Sequence, residues 1–143
     1  MDQSPPGGRG GVLGEQAAQI SREMVQLLRK TAGRGPTRAR TTIARDHVVV
    51  MFRDTLTDGE HNLVANGHRE QVRSVRRAYQ EVMESPARET VERVLGRRVI
   101  GFMSANHFMP DLAAEIFILE PSEDLEGTPQ EAEYIGERTS RPG

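Results

Sequence analysis

The chain has no cysteine and no tryptophan, and aromatics make up only 4% of its 143 residues. Without cysteine there is no disulfide framework, no thiolate metal site and no cysteine nucleophile. With so few aromatics, the core has to be built from Val, Leu, Ile, Met and four Phe. Long apolar runs are missing as well. The longest, Val48–Phe52, falls far short of the roughly 20 residues that span a bilayer. Met1–Gly14 carries Pro and Gly but no apolar stretch of the kind a secretory signal needs. These absences leave the expectation of a cytoplasmic protein with one folded domain.

Charge is plentiful but unevenly placed. Charged residues are 28% of the chain, and the formal net charge is −2. Residues 120–143 hold seven acids and two arginines, a net of −5, with Pro121, Pro129 and Pro142 among them. Residues 15–119 hold sixteen basic and thirteen acidic groups, a net of +3. The near-neutral total therefore hides a mildly basic body and an acidic tail. Pro5-Pro6-Gly7-Gly8 and Gly10-Gly11 give residues 1–14 a flexible composition. The expected organisation is a disordered 1–14, a domain over 15–119 and a disordered acidic tail over 120–143. A body of about 100 residues can fold alone, with little reserve.

Periodicity places the elements. Ala17, Ile20, Met24, Leu27 and Leu28 share one face of a helix over Glu15–Ala32, which Gly33-Arg34-Gly35-Pro36 stops. Arg38–Ala44 and the β-branched run in His47–Arg53 read as a strand pair joined by Arg45-Asp46. Thr57-Asp58-Gly59-Glu60 has the form of a capping box, with Leu56 before it as a staple, opening a short helix that ends at Asn66-Gly67. The longest helix runs from about His68 to Leu95, with Val72, Val75, Tyr79, Val82, Met83, Val91, Val94 and Leu95 as its apolar stripe. Pro86 inside it predicts a kink or a tight junction. Arg98–Ser104 and Leu112–Leu119 read as two further strands, joined by Ala105–Asp111. The order α-β-β-α-α-β-β predicts an α+β fold: a mostly antiparallel four-stranded sheet with helices packed on one face.

Candidate sites are few. Arg34 and Arg38 flank the glycines of a turn able to hold an anion. That turn follows a helix instead of opening one and lacks a P-loop lysine, so a plain helix stop explains it too. Arg69, Arg73, Arg76 and Arg77 fall close together on the long helix, on a face opposite Val72, Val75 and Tyr79. Such a face suits phosphates, an anionic surface or an acidic partner; a solvated helix face is the plainer explanation. The four histidines, His47, His61, His68 and His107, make no metal-ligand spacing, so no metal or cofactor is expected. Asn106, His107 and Asp111 form the one cluster with acid–base potential, and turn geometry accounts for the same residues. No catalytic residue is assigned.

The ordered set of motifs resembles a known family. A helix ends in Gly33-Arg34-Gly35-Pro36; Val48–Phe52 leads into Leu56-Thr57 with Glu60 and Leu63. The long helix carries Arg73, Arg77 and Tyr79; then come Gly96-Arg97-Arg98-Val99, Phe102, Ser104 and Asp111 before Glu115-Ile116-Phe117-Ile118-Leu119. From Gln16 to Leu119 this is similar to the MpsC-type domain of the sodium-translocating, membrane-potential-generating system. Ser85-Pro86 departs from it, and both tails lie outside it. The resemblance implies a non-enzymatic accessory or regulatory subunit of a membrane system that moves sodium or supports inorganic-carbon uptake. Its partner would be a membrane transporter subunit, since the chain has no spanning segment of its own. It carries over no catalytic residues.

Two other readings stay open. A small KH-like RNA-binding or ribosome-associated module has a similar element order, but the sequence lacks a GXXG loop between helices and stacking aromatics. A small enzyme built on Asn106–Asp111 would need remote partners converging there. An open four-stranded sheet also leaves edges, which predicts a homodimer.

Overall fold

The computed structural model describes residues 9–121; residues 1–8 and 122–143, most of both expected tails, lie outside it. Its elements are α1 (Arg9–Ala32), β1 (Arg38–Ile43), β2 (His47–Arg53), α2 (Asp58–Ala65), α3 (Arg69–Leu95), β3 (Val99–His107) and β4 (Leu112–Leu119). The fold is α+β, with the strands in one antiparallel sheet of order β1-β2-β4-β3. The last strand is thus inserted between the first pair and the third.

Alternation in the strands decides which side meets the helices. Val48, Val50 and Phe52 of β2 and Ala113, Phe117 and Leu119 of β4 all point to one face. There they pack on Ile20, Met24 and Leu28 of α1 and Met83, Ala87 and Val91 of α3. Each set recurs at three- or four-residue intervals, so each helix turns one stripe to the sheet. Phe102 and Phe117 meet at 5.2 Å between ring centroids in a tilted arrangement that suits two aromatic quadrupoles. Burying each Val, Leu, Ile, Met or Phe among them contributes roughly 1.5–3 kcal/mol. A second, smaller core of Leu56, Val72 and Phe108 sits where α2, α3 and the β3–β4 turn meet.

Several expectations need correction. Helix α1 begins at Arg9, inside the segment expected to be disordered, because each residue added to a packed helix gains a bond without repeating the cost of nucleation. Strand β3 runs on to His107, since Ala105, Asn106 and His107 pair with Ala114, Ala113 and Leu112. Helix α3 is continuous through Pro86. Its buried stripe is Val72, Arg76, Met83, Ala87 and Val91, while Val75 and Val82 face outward, Val82 at 66% exposure. The short helix follows expectation: Thr57 accepts from the Glu60 backbone N–H, and the Glu60 carboxylate accepts from that of Thr57. Gly33 stops α1 with a φ of 84° and donates its N–H to Arg29 O, a left-handed position that suits glycine.

Candidate functional site

The strand registers bring one end of the molecule into focus. Arg38 opposes Arg53, Arg53 opposes Leu112, and Leu112 opposes His107. At this end lie the start of β1, the end of β2, the β3–β4 turn and the N-terminal half of α3. Five of the six predicted arginines, Arg34, Arg38, Arg69, Arg73 and Arg77, keep some or all of their surface open. Arg69 and Arg73 flank the buried Phe108 ring, their guanidinium carbons 5.6 and 5.1 Å from its centroid. Stacking on an aromatic face restrains an arginine while leaving its donors free. Arg73 also lies 3.5 Å from Glu70. Beside Phe108, Met109 stands out at 72% exposure. Arg77 is exposed one turn further along α3. Arg34 is half-buried in the α1–β1 link, and Arg38 starts β1 on the face turned away from the helices. Neither stacks on the Phe108 ring with the α3 arginines.

Arg76 is the exception. It does not share the exposed face of its neighbours; it is 3% exposed and sits in the core stripe of α3. Its Nη1 donates to Thr55 O at 3.4 Å and lies 3.7 Å from Glu60 Oε1. Its guanidinium also lies over the Tyr79 ring at 5.9 Å. It is an internal tie between α3 and the segment leading into α2, so it has no surface to offer a partner.

Asp111 holds the other half of that tie. Its buried carboxylate accepts from Thr55 N and Thr55 Oγ1, each at 3.1 Å, and from Leu56 N at 2.9 Å. His61 Nε2 of α2 lies 3.2 Å from the same carboxylate and completes the set when it donates. One side chain from the β3–β4 turn thereby fixes the end of β2 and the start of α2. The residues that carry the family resemblance, Leu56, Thr57, Glu60 and Asp111, make up this anchor.

A third buried polar group lies deeper. Glu115 of β4 faces the helices among apolar neighbours and is hydrogen-bonded to the Ser104 hydroxyl. Burial pushes its carboxyl up to about 7, against the opposing pull of the Ser104 hydroxyl and the Arg76 charge. The signal was present in the sequence: a lone carboxylate on the strand face shared with Ala113, Phe117 and Leu119. The roles of Thr55 and Arg76 carried no such signal, because both depend on which distant segments meet.

The acid–base cluster does not assemble. Asn106 lies on the helix-facing side of β3, His107 points to the opposite side, and Asp111 is committed to backbone donors. His107 Nδ1 instead meets Pro110 O at 2.8 Å within the turn. Among the described residues, no group of three or more metal-type ligands comes together. No helix among them is long and apolar enough to cross a membrane.

The far half of α3 has the opposite charge. Glu81, Glu84, Glu89 and Glu92 line an open groove of about 650 Å³ beside β3, with Arg88 and Arg98 also in its wall. The helix dipole acts on the first and last turns, where Glu70 and Arg93 stand in the favourable order.

The family model described as "Na+-translocating membrane potential-generating system (MpsC)" matches residues 13–121. The chain belongs to the MpsC family. The matched span takes in every described strand and helix apart from the first residues of α1, so the Asp111 anchor and the Phe108 end both lie within the MpsC domain. No curated protein and no solved structure matches the chain.

Proposed function

We propose that this MpsC-family chain is a non-enzymatic accessory component of a sodium-translocating or inorganic-carbon-uptake membrane system, docking from the cytoplasmic side. The observation that carries the reading is the Phe108 end: Arg69 and Arg73 restrained on one ring, Arg77 beside them and Met109 protruding. A fixed cluster of guanidiniums steers an acidic surface toward it, and an exposed thioether supplies apolar contact once the partner arrives. The partner is a transporter subunit with an acidic cytoplasmic surface, and any ion pathway belongs to that subunit.

The test is affinity capture by the full chain from detergent-solubilised membranes, with and without RNase, followed by identification of what is retained. The expected result is an integral membrane transport protein, retained regardless of RNase and lost with Arg73→Glu/Arg77→Glu. Recovery of RNA or ribosomal particles that RNase abolishes overturns the reading in favour of a KH-like RNA-binding role. Raising the salt concentration should weaken the expected complex, because it shortens the screening length from about 8 Å at physiological ionic strength to about 3 Å at 1 M.

A further inference from the structure

The side of the sheet turned away from α1 and α3 is uncovered among the described residues, and its composition does not suit water. Its residues alternate with those of the core: Val49 and Met51 on β2, Ala114, Ile116 and Ile118 on β4, and Met103 and Ala105 on β3. Antiparallel sheets with one solvated face normally place polar residues on that face. Strand β4 does the reverse. Leu112, Ala114, Ile116 and Ile118 point away from the helices, and its one charged residue, Glu115, points inward. That is the pattern of a strand covered on both sides. Met103 and Ile100 are 52% and 51% exposed.

We infer that this face is where a second copy of the chain packs, sheet against sheet. Three observations select that occupant. The first is area. Four strands about 4.8 Å apart and seven residues rising about 3.3 Å each give a plan area of about 450 Å² per copy. Side-chain relief adds to this, toward the roughly 600 Å² per partner at the low end of specific interfaces. The second is shape. A two-fold axis lying between the sheets and along the strands sets β2 over β4 and β1 over β3 of the other copy. The row Arg40, Met51, Ala114, Ala105 then meets itself reversed, so Met51 lies over Ala114 and the Arg40 stem over Ala105. The next row, Thr42, Val49, Ile116, Met103, reverses in the same way, with Met103 over Thr42. The third is charge. Among the described residues the arginines of this face, Arg38, Arg40 and Arg53, lie at one end and one edge of it, and the same axis sets them over His107, Ala105 and Leu112 of the other copy, so that no arginine faces an arginine across the seam.

The sheet edges offer less. At the β3 edge, Arg88 donates to Val99 O and Glu92 accepts from Val99 N, and the pairing shifts between Val99 and Gly101. Side-chain capping and a bulge are devices that stop a strand from adding a neighbour. The homodimer thus forms through the face instead of the β3 edge, and both Phe108 ends point the same way. This inference stands apart from the docking reading and survives its failure.

Sedimentation equilibrium of the full chain tests it. The expected mass at about 100 µM is twice 15.9 kDa. Met51→Lys and Met103→Lys, both at exposed positions, should each weaken the dimer at least tenfold with unchanged circular dichroism. Because the chain has no cysteine, one introduced thiol is a clean reporter. Ala114→Cys should cross-link to a second copy with a short bis-maleimide, and Val82→Cys on α3 should not. A monomer mass throughout overturns the inference. So does a dimer that Val82→Cys captures and Ala114→Cys does not. If a lysine variant unfolds, the cross-linking pair still decides.

Discussion

The Glu115 carboxyl, pushed up to about 7 by burial, makes stability depend on pH in a direction opposite to that of a paired surface acid. In the unfolded chain a glutamate titrates near 4.5. Between those values the folded chain keeps a proton that the unfolded chain has released. Stability therefore falls as pH rises through this window and levels off above it. Glu115→Gln keeps the shape and removes the titration. Thermal or urea unfolding at pH 5 and pH 8 should show the two proteins close at the lower pH. At the higher pH the variant should lead by an amount on the order of 3 kcal/mol. Asp111 carries the opposite expectation. Its oxygens serve two backbone N–H groups and the Thr55 hydroxyl, and an amide in their place brings donors where acceptors are needed. Asp111→Asn should cost about 2–4 kcal/mol in urea titrations, since buried donors left without partners lose their full solvation.

Helix α2 is the element most dependent on such ties. None of its residues is buried, and it spans only eight positions. Its attachment comes from the capping box, from His61 beside Asp111, from Glu60 beside Arg76 and from half-buried Val64 against Leu56, Val72 and Phe108. Its amides should exchange with solvent earlier than those of β2 and β4. Thr57→Ala should cost about 1 kcal/mol and speed exchange in α2 first, as hydrogen exchange by mass spectrometry would show.

The same element explains what a sequence can disclose. The Thr57–Glu60 box was legible because both partners lie within four residues. The bounds of β2 and β4 were legible because apolar alternation is a local pattern. The bounds of helix α3 were legible too, but its buried face was not, because the helix carries two apolar stripes, one with Met83 and Val91 and one with Val75 and Val82. Propensity cannot rank them, and the choice falls to whichever stripe the sheet and α1 meet. Arg76 was placed with its charged neighbours for the same reason: its partners, Thr55 and Glu60, come from outside the helix.

At the scale of the whole molecule, charge and apolar surface are segregated. One end gathers Arg38, Arg69, Arg73 and Arg77, and the groove along the far half of α3 gathers glutamates. The apolar sheet face belongs to a separate side and meets the basic end only at its corner, at Arg38 and Arg53. Two surfaces so separated can be occupied at once. A face-paired dimer would present its two basic ends together, and bivalent engagement of one membrane assembly would then tighten binding through effective concentration without new contacts.

The position of β4 in the sheet has a consequence for how the chain is made. Val48 must wait for Phe117, and Phe102 has no neighbouring strand until that same segment exists. As the polypeptide leaves the ribosome, α1 and the β1–β2 hairpin emerge early, and α3 follows with an apolar stripe that no completed sheet can cover. Everything synthesised before Leu112 is therefore a set of unfinished surfaces, and one eight-residue strand joins them. The long sequence separation of the β2–β4 pairing makes that closure slow relative to helix formation. Nascent chains stalled just before β4 would be the species most in need of a chaperone.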